Sequence, residues 1–122
     1  MASVAGRVTE GLEPLVLLRF VAGREVECLV DTGFTGSLVL PQSLIDELGL
    51  AVFGHEDNLQ TVGGEQTSAG LAIAQVEWLG AIRSVVVLVK EDFLIGAQLL
   101  EEAELVIDYP RRTLIITREE VA

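Results

Sequence analysis

The stretch ECLVDTGFTGSLVLP, residues 27–41, contains the feature that decides the fold. Residues on both sides of its centre are apolar and β-forming, and they predict one strand over Glu25–Val30 and another over Ser37–Leu40. Between the two strands stand Asp31 and Thr32-Gly33. An aspartate is disfavoured in strands and is seldom fully buried without a partner. We therefore expect Asp31 to have either a chemical use or a structural partner.

The composition predicts one globular domain. The chain has 122 residues, half of them hydrophobic, and we expect a flexible N-terminal segment over 1–13, a folded domain over 14–118 and a tail over 119–122. A formal net charge of −11 argues against nucleic acid and anionic membrane surfaces as partners. The N-terminus has no signal-peptide pattern and the apolar runs are too short to span a membrane, so a cytoplasmic location is expected.

The remaining sequence predicts a mainly β protein with one or two short helices. One helix should have Pro41 as its first residue and Gly49 just past its end, and a second should cover Gln98–Ala103. Further strands are predicted at 15–21, 71–78 and 82–89, and a terminal hairpin turns at 108–112. The order strand, glycine-containing break, short helix, strand occurs twice, in a first repeat at 28–50 and a second repeat at 92–108.

Few residues are available for nucleophilic or metal chemistry. The only histidine, His55, lies in a polar stretch and is expected to be solvated, and the only cysteine, Cys28, is expected to be a buried and inert thiol. No metal-ligand spacing and no nucleotide-binding glycine motif occur, so no metal and no cofactor are expected. Trp78 is expected to be a core or edge anchor and not a platform for substrate.

Carboxylate chemistry at Asp31 remains, although a purely structural turn at this residue is the alternative. Two carboxylates that share one proton can act as acid and base together, because two close like charges do not both ionise readily. The corresponding place in the second repeat is Leu94-Ile95-Gly96, which carries no acid. The simplest source of a second carboxylate is another copy of the chain in a two-fold dimer.

The residues Asp31-Thr32-Gly33, the following LVLP and the later Leu94-Ile95-Gly96 resemble those of the retropepsin-like aspartic proteases, the single-domain family that includes retroviral and bacterial members. The resemblance covers roughly 15–117. It implies a closed β-barrel of the acid-protease fold, a two-fold homodimer, and hydrolysis of peptide bonds in a peptide or protein substrate.

The resemblance also implies a role for each matched residue. Asp31 would be the catalytic acid, Thr32 would hydrogen-bond across the dimer axis, and Gly33 would let the backbone approach the substrate. Leu94-Ile95-Gly96 would pack beneath the active-site loop. Val62, Gly63 and Gly64 would lie at or near the tip of a flap over the substrate, although an ordinary hairpin turn is the alternative there.

The chain departs from the retroviral pattern at three positions. Many retroviral relatives pair an acidic residue, two positions after the first glycine, with an arginine directly after the later glycine; here these positions hold Thr35 and Ala97. The Asn or Asp that often follows the arginine is Gln98. The sequence thus predicts an aspartic endopeptidase, and the alternative is a weakly active or inactive module that binds extended peptides by strand addition.

Overall fold

The computed structural model describes the backbone of residues 1–60 and 66–119, and the side chains of these residues except 56–60, 66 and 67. It contains ten strands and two short helices within the described ranges. In chain order they are β1 (Ala2–Val8), β2 (Pro14–Phe20), β3 (Glu25–Val30), β4 (Leu38–Leu40), α1 (Gln42–Glu47), β5 (Gly54–Gln60), β6 (Gln66–Trp78), β7 (Ala81–Val89), β8 (Leu94–Ile95), α2 (Ala97–Leu100), β9 (Glu104–Asp108) and β10 (Thr113–Arg118).

The central strands close into a barrel. Their order is β6-β7-β4-β8-β3-β2, and the ring is completed where Arg19 and Phe20 of β2 pair with Glu77 and Val76 of β6. Strand β5 extends the sheet from β6, and β1, β10 and β9 extend it from β2. Closure leaves fewer sheet edges open to unwanted pairing. The predicted mainly β fold with a closed barrel is confirmed.

The barrel interior is filled by aliphatic side chains, and Phe20 and Trp78 are its large aromatic residues. This follows from the alternation within the strands: in β3, for example, Val26, Cys28 and Val30 point inward and are buried, whereas Glu25 and Glu27 are exposed. The Trp78 indole Nε1–H donates to the carbonyl oxygen of Leu99 at 2.9 Å, which ties α2 to the barrel wall. The prediction that Trp78 is a core residue is confirmed.

The N-terminal segment is the clearest correction to the sequence analysis. Ala2–Val8 was expected to be flexible, but it forms β1, which pairs antiparallel with β10 along its length and with β2 at its end. Its inward positions are small or aliphatic, ending in the buried Val8. Gly6 is necessary there, because a Cβ atom at this position would lie 2.1 Å from the carbonyl oxygen of Leu15. The fold therefore begins at β1 and not at residue 14.

The two helices differ slightly from their predicted bounds. Pro41 has extended backbone angles and caps α1, which begins at Gln42, so Pro41 is not its first helical residue. Gly49 follows the helix with a φ of 68°, and its backbone conformation ends α1 as expected. The second helix covers Ala97–Leu100 and is shorter than predicted.

Candidate active site

The chain between β3 and β4 passes over the end of β8. Strand β8 lies between these two strands, parallel to β3 and antiparallel to β4. A chain that leaves β3 at Asp31 must therefore cross the position where β8 ends, at Gly96, before it returns in β4. We name residues 31–37 the active-site loop. Its course explains why two segments about sixty residues apart in the sequence meet at one place.

Asp31 is half-buried at the start of this loop. Its backbone N–H donates to the carbonyl oxygen of Ile95 at 2.9 Å, which continues the pairing of β3 with β8. One carboxylate oxygen, Oδ1, accepts the backbone N–H of Gly33 at 3.0 Å. The other oxygen, Oδ2, makes no hydrogen bond to any residue that the structure describes. Among the described residues, the turn thus holds the carboxylate through one oxygen only.

The residues after Asp31 leave the carboxylate accessible. Thr32 and Gly33 are both exposed, and the Thr32 hydroxyl has no hydrogen-bond partner in the described part of the chain. A Cβ atom on Gly33 would lie 3.3 Å from Asp31 Oδ1, closer than most such contacts. Glycine at this position therefore keeps space open beside the carboxylate, and the structure brings the three residues of the motif together on one exposed turn.

The backbone of the second repeat supports the loop from behind. The N–H groups of Gly96, Ala97 and Gln98 donate to the carbonyl oxygens of Ser37, Phe34 and Gly36 at 3.0, 2.7 and 3.1 Å. The first N–H groups of a helix have no partner within the helix. Here the loop carbonyls supply those partners, so the start of α2 and the active-site loop stabilise each other. Gly96 and the first two residues of α2 are thus hydrogen-bonded to the loop.

Gly96 is surrounded too closely to carry a side chain. A Cβ atom there would lie 2.2 Å from the carbonyl oxygen of Gly36 and 2.5 Å from the ring of Phe34. The same ring would meet a Cβ atom on Gly36 at 2.5 Å. Phe34 therefore packs over two glycines; its ring alone excludes a side chain at Gly36, and the ring together with loop carbonyl oxygens excludes one at Gly96. The sequence analysis did not single out Phe34, although an aromatic residue between two glycines was a usable signal.

A side-chain hydrogen bond closes the far end of the loop. The Ser37 hydroxyl donates to Oε1 of Gln98 at 2.7 Å. Ser37 is buried, with 7% of its surface exposed, whereas Gln98 is exposed. The sequence analysis treated Ser37 only as the start of a strand. A serine that precedes three buried aliphatic residues needs a partner for its hydroxyl, and that need was the available signal.

A groove borders the loop on the side of β7. It has a volume of about 440 Å³ and is lined by residues 33–37, by Gln98, and by Val86 and Leu88. One wall is therefore formed by the loop and Gln98, and the other by the aliphatic residues of β7. Val86 is 47% exposed and lies on the outward face of β7. The predicted flap residues Val62, Gly63 and Gly64 lie outside the residues that the structure describes.

Other chemical groups of the chain take no part in this arrangement. Burial in the barrel, and to a lesser extent the charge of Glu27, raises the pKa of the Cys28 thiol to about 12, so it is not a thiolate nucleophile. His55 is exposed on β5. The described residues contain no group of three or more His, Cys, Asp or Glu side chains that could hold a metal ion. None of the described helices is long and apolar enough to cross a membrane.

Comparison with known proteins gives one family match and several structural matches. The family model described as aspartyl protease matches residues 19–108, which include the whole active-site loop and the residues beneath it. No curated protein sequence matches significantly.

Among solved structures, a retropepsin-like aspartic protease from Rickettsia conorii is similar over 95% of this chain and 90% of its own, with 19% sequence identity and a TM-score of 0.69. The EIAV protease, solved in complex with an inhibitor, is similar over 82% of this chain and 100% of its own, with 20% identity and a TM-score of 0.63. These likenesses show a common fold, and the sequence match covers most of the chain. The protein therefore belongs to the aspartyl protease family and has the retropepsin-like fold.

Proposed function

We propose that the protein is an aspartic endopeptidase that works as a homodimer, with the attacking water held between the Asp31 carboxylates of two subunits. The observation that carries this proposal is that one chain brings a single acid to the site. Asp31 has one oxygen held by Gly33 N–H and one without a partner among the described residues. The backbone that meets it from the second repeat, Ile95-Gly96, brings no second acid.

The proposed chemistry uses one proton shared by the two carboxylates. The ionised carboxylate takes a proton from the water, whose oxygen forms a bond to the carbonyl carbon of the substrate. The protonated carboxylate gives its proton to the carbonyl oxygen, so that a tetrahedral diol forms. When the C–N bond breaks, a proton passes to the departing amine and the other product is a carboxylic acid. No metal or cofactor is required by these steps.

In a two-fold dimer, each residue that matches the family motif would have a defined role. The two Asp31 side chains would face each other at the axis, and each exposed Thr32 hydroxyl would find its partner in the other subunit. Val62, Gly63 and Gly64 would cover the substrate as a flap. The support for Thr32 is that its hydroxyl has no partner among the described residues of its own chain.

We expect the substrate to be an extended peptide with apolar side chains at the scissile bond. The groove beside the loop has Val86 and Leu88 as its aliphatic wall. The positions that carry a charged pair in many retroviral relatives are the uncharged Thr35 and Ala97. Cleavage of a peptide library would test this expectation, and a strict requirement for charged residues at the cut would contradict it. The rate should show a bell-shaped dependence on pH in the acidic range, because the pair must hold one proton.

The test of the dimer is subunit poisoning. Wild-type protein is mixed with an increasing excess of Asp31→Asn protein, allowed to exchange, and assayed on a peptide that the wild type cleaves. Heterodimers would hold one acid, so activity should fall towards zero as the mutant fraction rises, and specific activity should also fall on dilution. Undiminished activity in both experiments would show that one chain holds the whole catalytic site.

The same library distinguishes the alternative function. A module that clasps peptides by adding a strand would bind them without cutting. Stable peptide binding by the wild type, with no hydrolysis between pH 3 and pH 8, would favour that alternative over the protease.

A further inference from the structure

Ser37 is the one polar side chain that is buried among the residues the structure describes. Burial of a hydroxyl is costly unless it is hydrogen-bonded. Its partner is Gln98 Oε1 at 2.7 Å, on a residue 61 positions away in the sequence. The position of Ser37, where the active-site loop enters β4, is therefore linked to the conformation of Gln98 in α2.

Gln98 holds the end of the loop at two adjacent residues. Its backbone N–H donates to the carbonyl oxygen of Gly36 at 3.1 Å, while its side-chain oxygen accepts the hydroxyl hydrogen of Ser37. The other end of the loop is held by the bond from Asp31 N–H to Ile95. Between these ends, Thr32, Gly33 and Thr35 are exposed. The middle of the loop is held as well, by the bond from Ala97 N–H to the carbonyl oxygen of Phe34 at 2.7 Å, so Gln98 and Ala97 together hold the loop that carries Asp31.

The Ser37–Gln98 bond joins the two segments that many retroviral relatives join by a charged pair. This chain has Thr35 and Ala97 at those positions and has no charge to use. A hydroxyl and a primary amide do not ionise in the acidic range. Their hydrogen bond therefore stays intact at the pH values at which two carboxylates share a proton. A carboxylate in the same place would itself become protonated in that range, and its hydrogen bond would change.

We infer that Gln98 is a positioning residue, which acts with Ser37 as an uncharged latch that fixes the active-site loop and, through it, the Asp31 carboxylate. This inference rests on the proposed function, since it concerns the reaction at Asp31. The latch is not in contact with the Asp31 carboxylate, although Ser37 and Gln98 also line the groove beside the loop. Its effect is on the placement of the carboxylate, and such effects appear in kcat more than in KM.

The experiment compares three variants with a matched control. Gln98→Met removes the acceptor and keeps the side-chain length, Ser37→Ala removes the donor, and a third variant carries both changes. The control, Gln42→Met, removes another glutamine side-chain hydrogen bond, the one to Asp46 within α1. All are measured for kcat and KM on one peptide, and for hydrogen exchange of the backbone N–H groups of Gly33 and Phe34, which donate to Asp31.

We expect kcat to fall on the order of ten-fold in each latch variant, with KM changed less than about two-fold, because misplaced catalytic groups lower the rate of the chemical step. The double variant should be no worse than the worse single variant, since either change breaks the same bond. Exchange at Gly33 and Phe34 should be faster in the latch variants and unchanged in Gln42→Met.

Three results would overturn the latch: an unchanged kcat, an equal loss in Gln42→Met, or losses that multiply in the double variant. If the wild type cleaves no peptide, the proposed function fails on that result alone. Hydrogen exchange then tests whether the latch holds the loop. Unchanged exchange at Gly33 and Phe34 in the latch variants would contradict the latch even without any peptide cleavage.

Discussion

The two repeats, residues 28–50 and 92–108, differ in what separates their first strand from their helix. In the first repeat, β3 and α1 are separated by the active-site loop and by β4. In the second repeat, Gly96 alone stands between β8 and α2. The long connection carries the acid, and the short one carries only backbone groups that reach under it.

This difference has a physical cause. The loop of the first repeat crosses the end of β8, so its carbonyl groups lie against Gly96 and leave no space for a side chain there. A second acid at that place would need both a Cβ atom and a longer connection. The second repeat can therefore support the acid of the first repeat but cannot supply its own. A single barrel has one Asp31, and we propose that the second comes from another subunit.

The largest expected effect is that of Asp31→Asn. We expect hydrolysis to fall at least about 10³-fold, because removal of a central catalytic group has effects of this size or more. The fold should persist, since Asn retains an oxygen that can accept the Gly33 N–H. Asp46→Asn on α1 is the matched control and should keep its activity. If Asp31→Asn hydrolysed the peptide at a rate close to that of the wild type, Asp31 in the first repeat would not be the catalytic acid.

The next test adds a side chain at Gly96 in the second repeat. Gly96→Ala places a Cβ atom 2.2 Å from the carbonyl oxygen of Gly36, and neither backbone segment can move without breaking the bonds between them. We expect a loss of about 3 kcal/mol in the free energy of unfolding, at the upper end of typical overpacking. Gly11→Ala is the control, because a Cβ atom there meets nothing closer than 3.7 Å. Urea unfolding of both variants measures the difference, and equal stabilities would show that the loop is free to shift.

A smaller effect is expected where α2 is attached to the barrel. Trp78→Phe keeps a six-membered aromatic ring but removes the five-membered ring of the indole, together with the N–H that donates to Leu99. The variant therefore loses packing volume in the core as well as the hydrogen bond. A buried carbonyl group that loses its partner costs about 1–3 kcal/mol. Thermal or urea unfolding should show this loss, with little change in the kcat of the remaining folded protein. A stability equal to the wild type would mean that packing alone positions α2.

The smallest expected effect concerns the ion pair between β1 and β3. The Arg7 guanidinium makes two 2.8 Å hydrogen bonds to the Glu27 carboxylate, and they hold the pKa of Glu27 below its ordinary value of 4.5. A lowered pKa in the folded protein means that the stabilisation is present above the ordinary value and is lost as the pH falls through the lowered one.

Arg7→Gln should therefore unfold at a slightly lower temperature than the wild type at pH 7, and this difference should vanish at pH 2. Both side chains are exposed, so salt should also reduce it. Arg83→Gln removes the same charge from an arginine without an ion pair among the described residues, and it serves as the control. A difference that persists at pH 2 would indicate that Arg7 stabilises β1 by packing.

Much of the fold was predictable because its signals are local. The bounds of β3 are as predicted, since the alternation of Val26, Cys28 and Val30 with polar residues depends on neighbours in the chain. The end of α1 at Gly49 was predictable for the same reason. The strand character of Ala2–Val8 was not recognised from the sequence. Its inward residues are small, and the strand is held in place by its pairing with β10 and β2.

By itself the sequence determined that this chain is a mainly β domain with an acid in a glycine-bearing turn, because residue type and spacing decide such features locally. Only the tertiary structure decided what lies under that acid. The parallel pairing of β3 with β8 brings Asp31 to Ile95, and the crossing of the loop over Gly96 brings Ser37 to Gln98. These contacts join residues about sixty positions apart, and no local pattern encodes them, because they exist only once the barrel has closed.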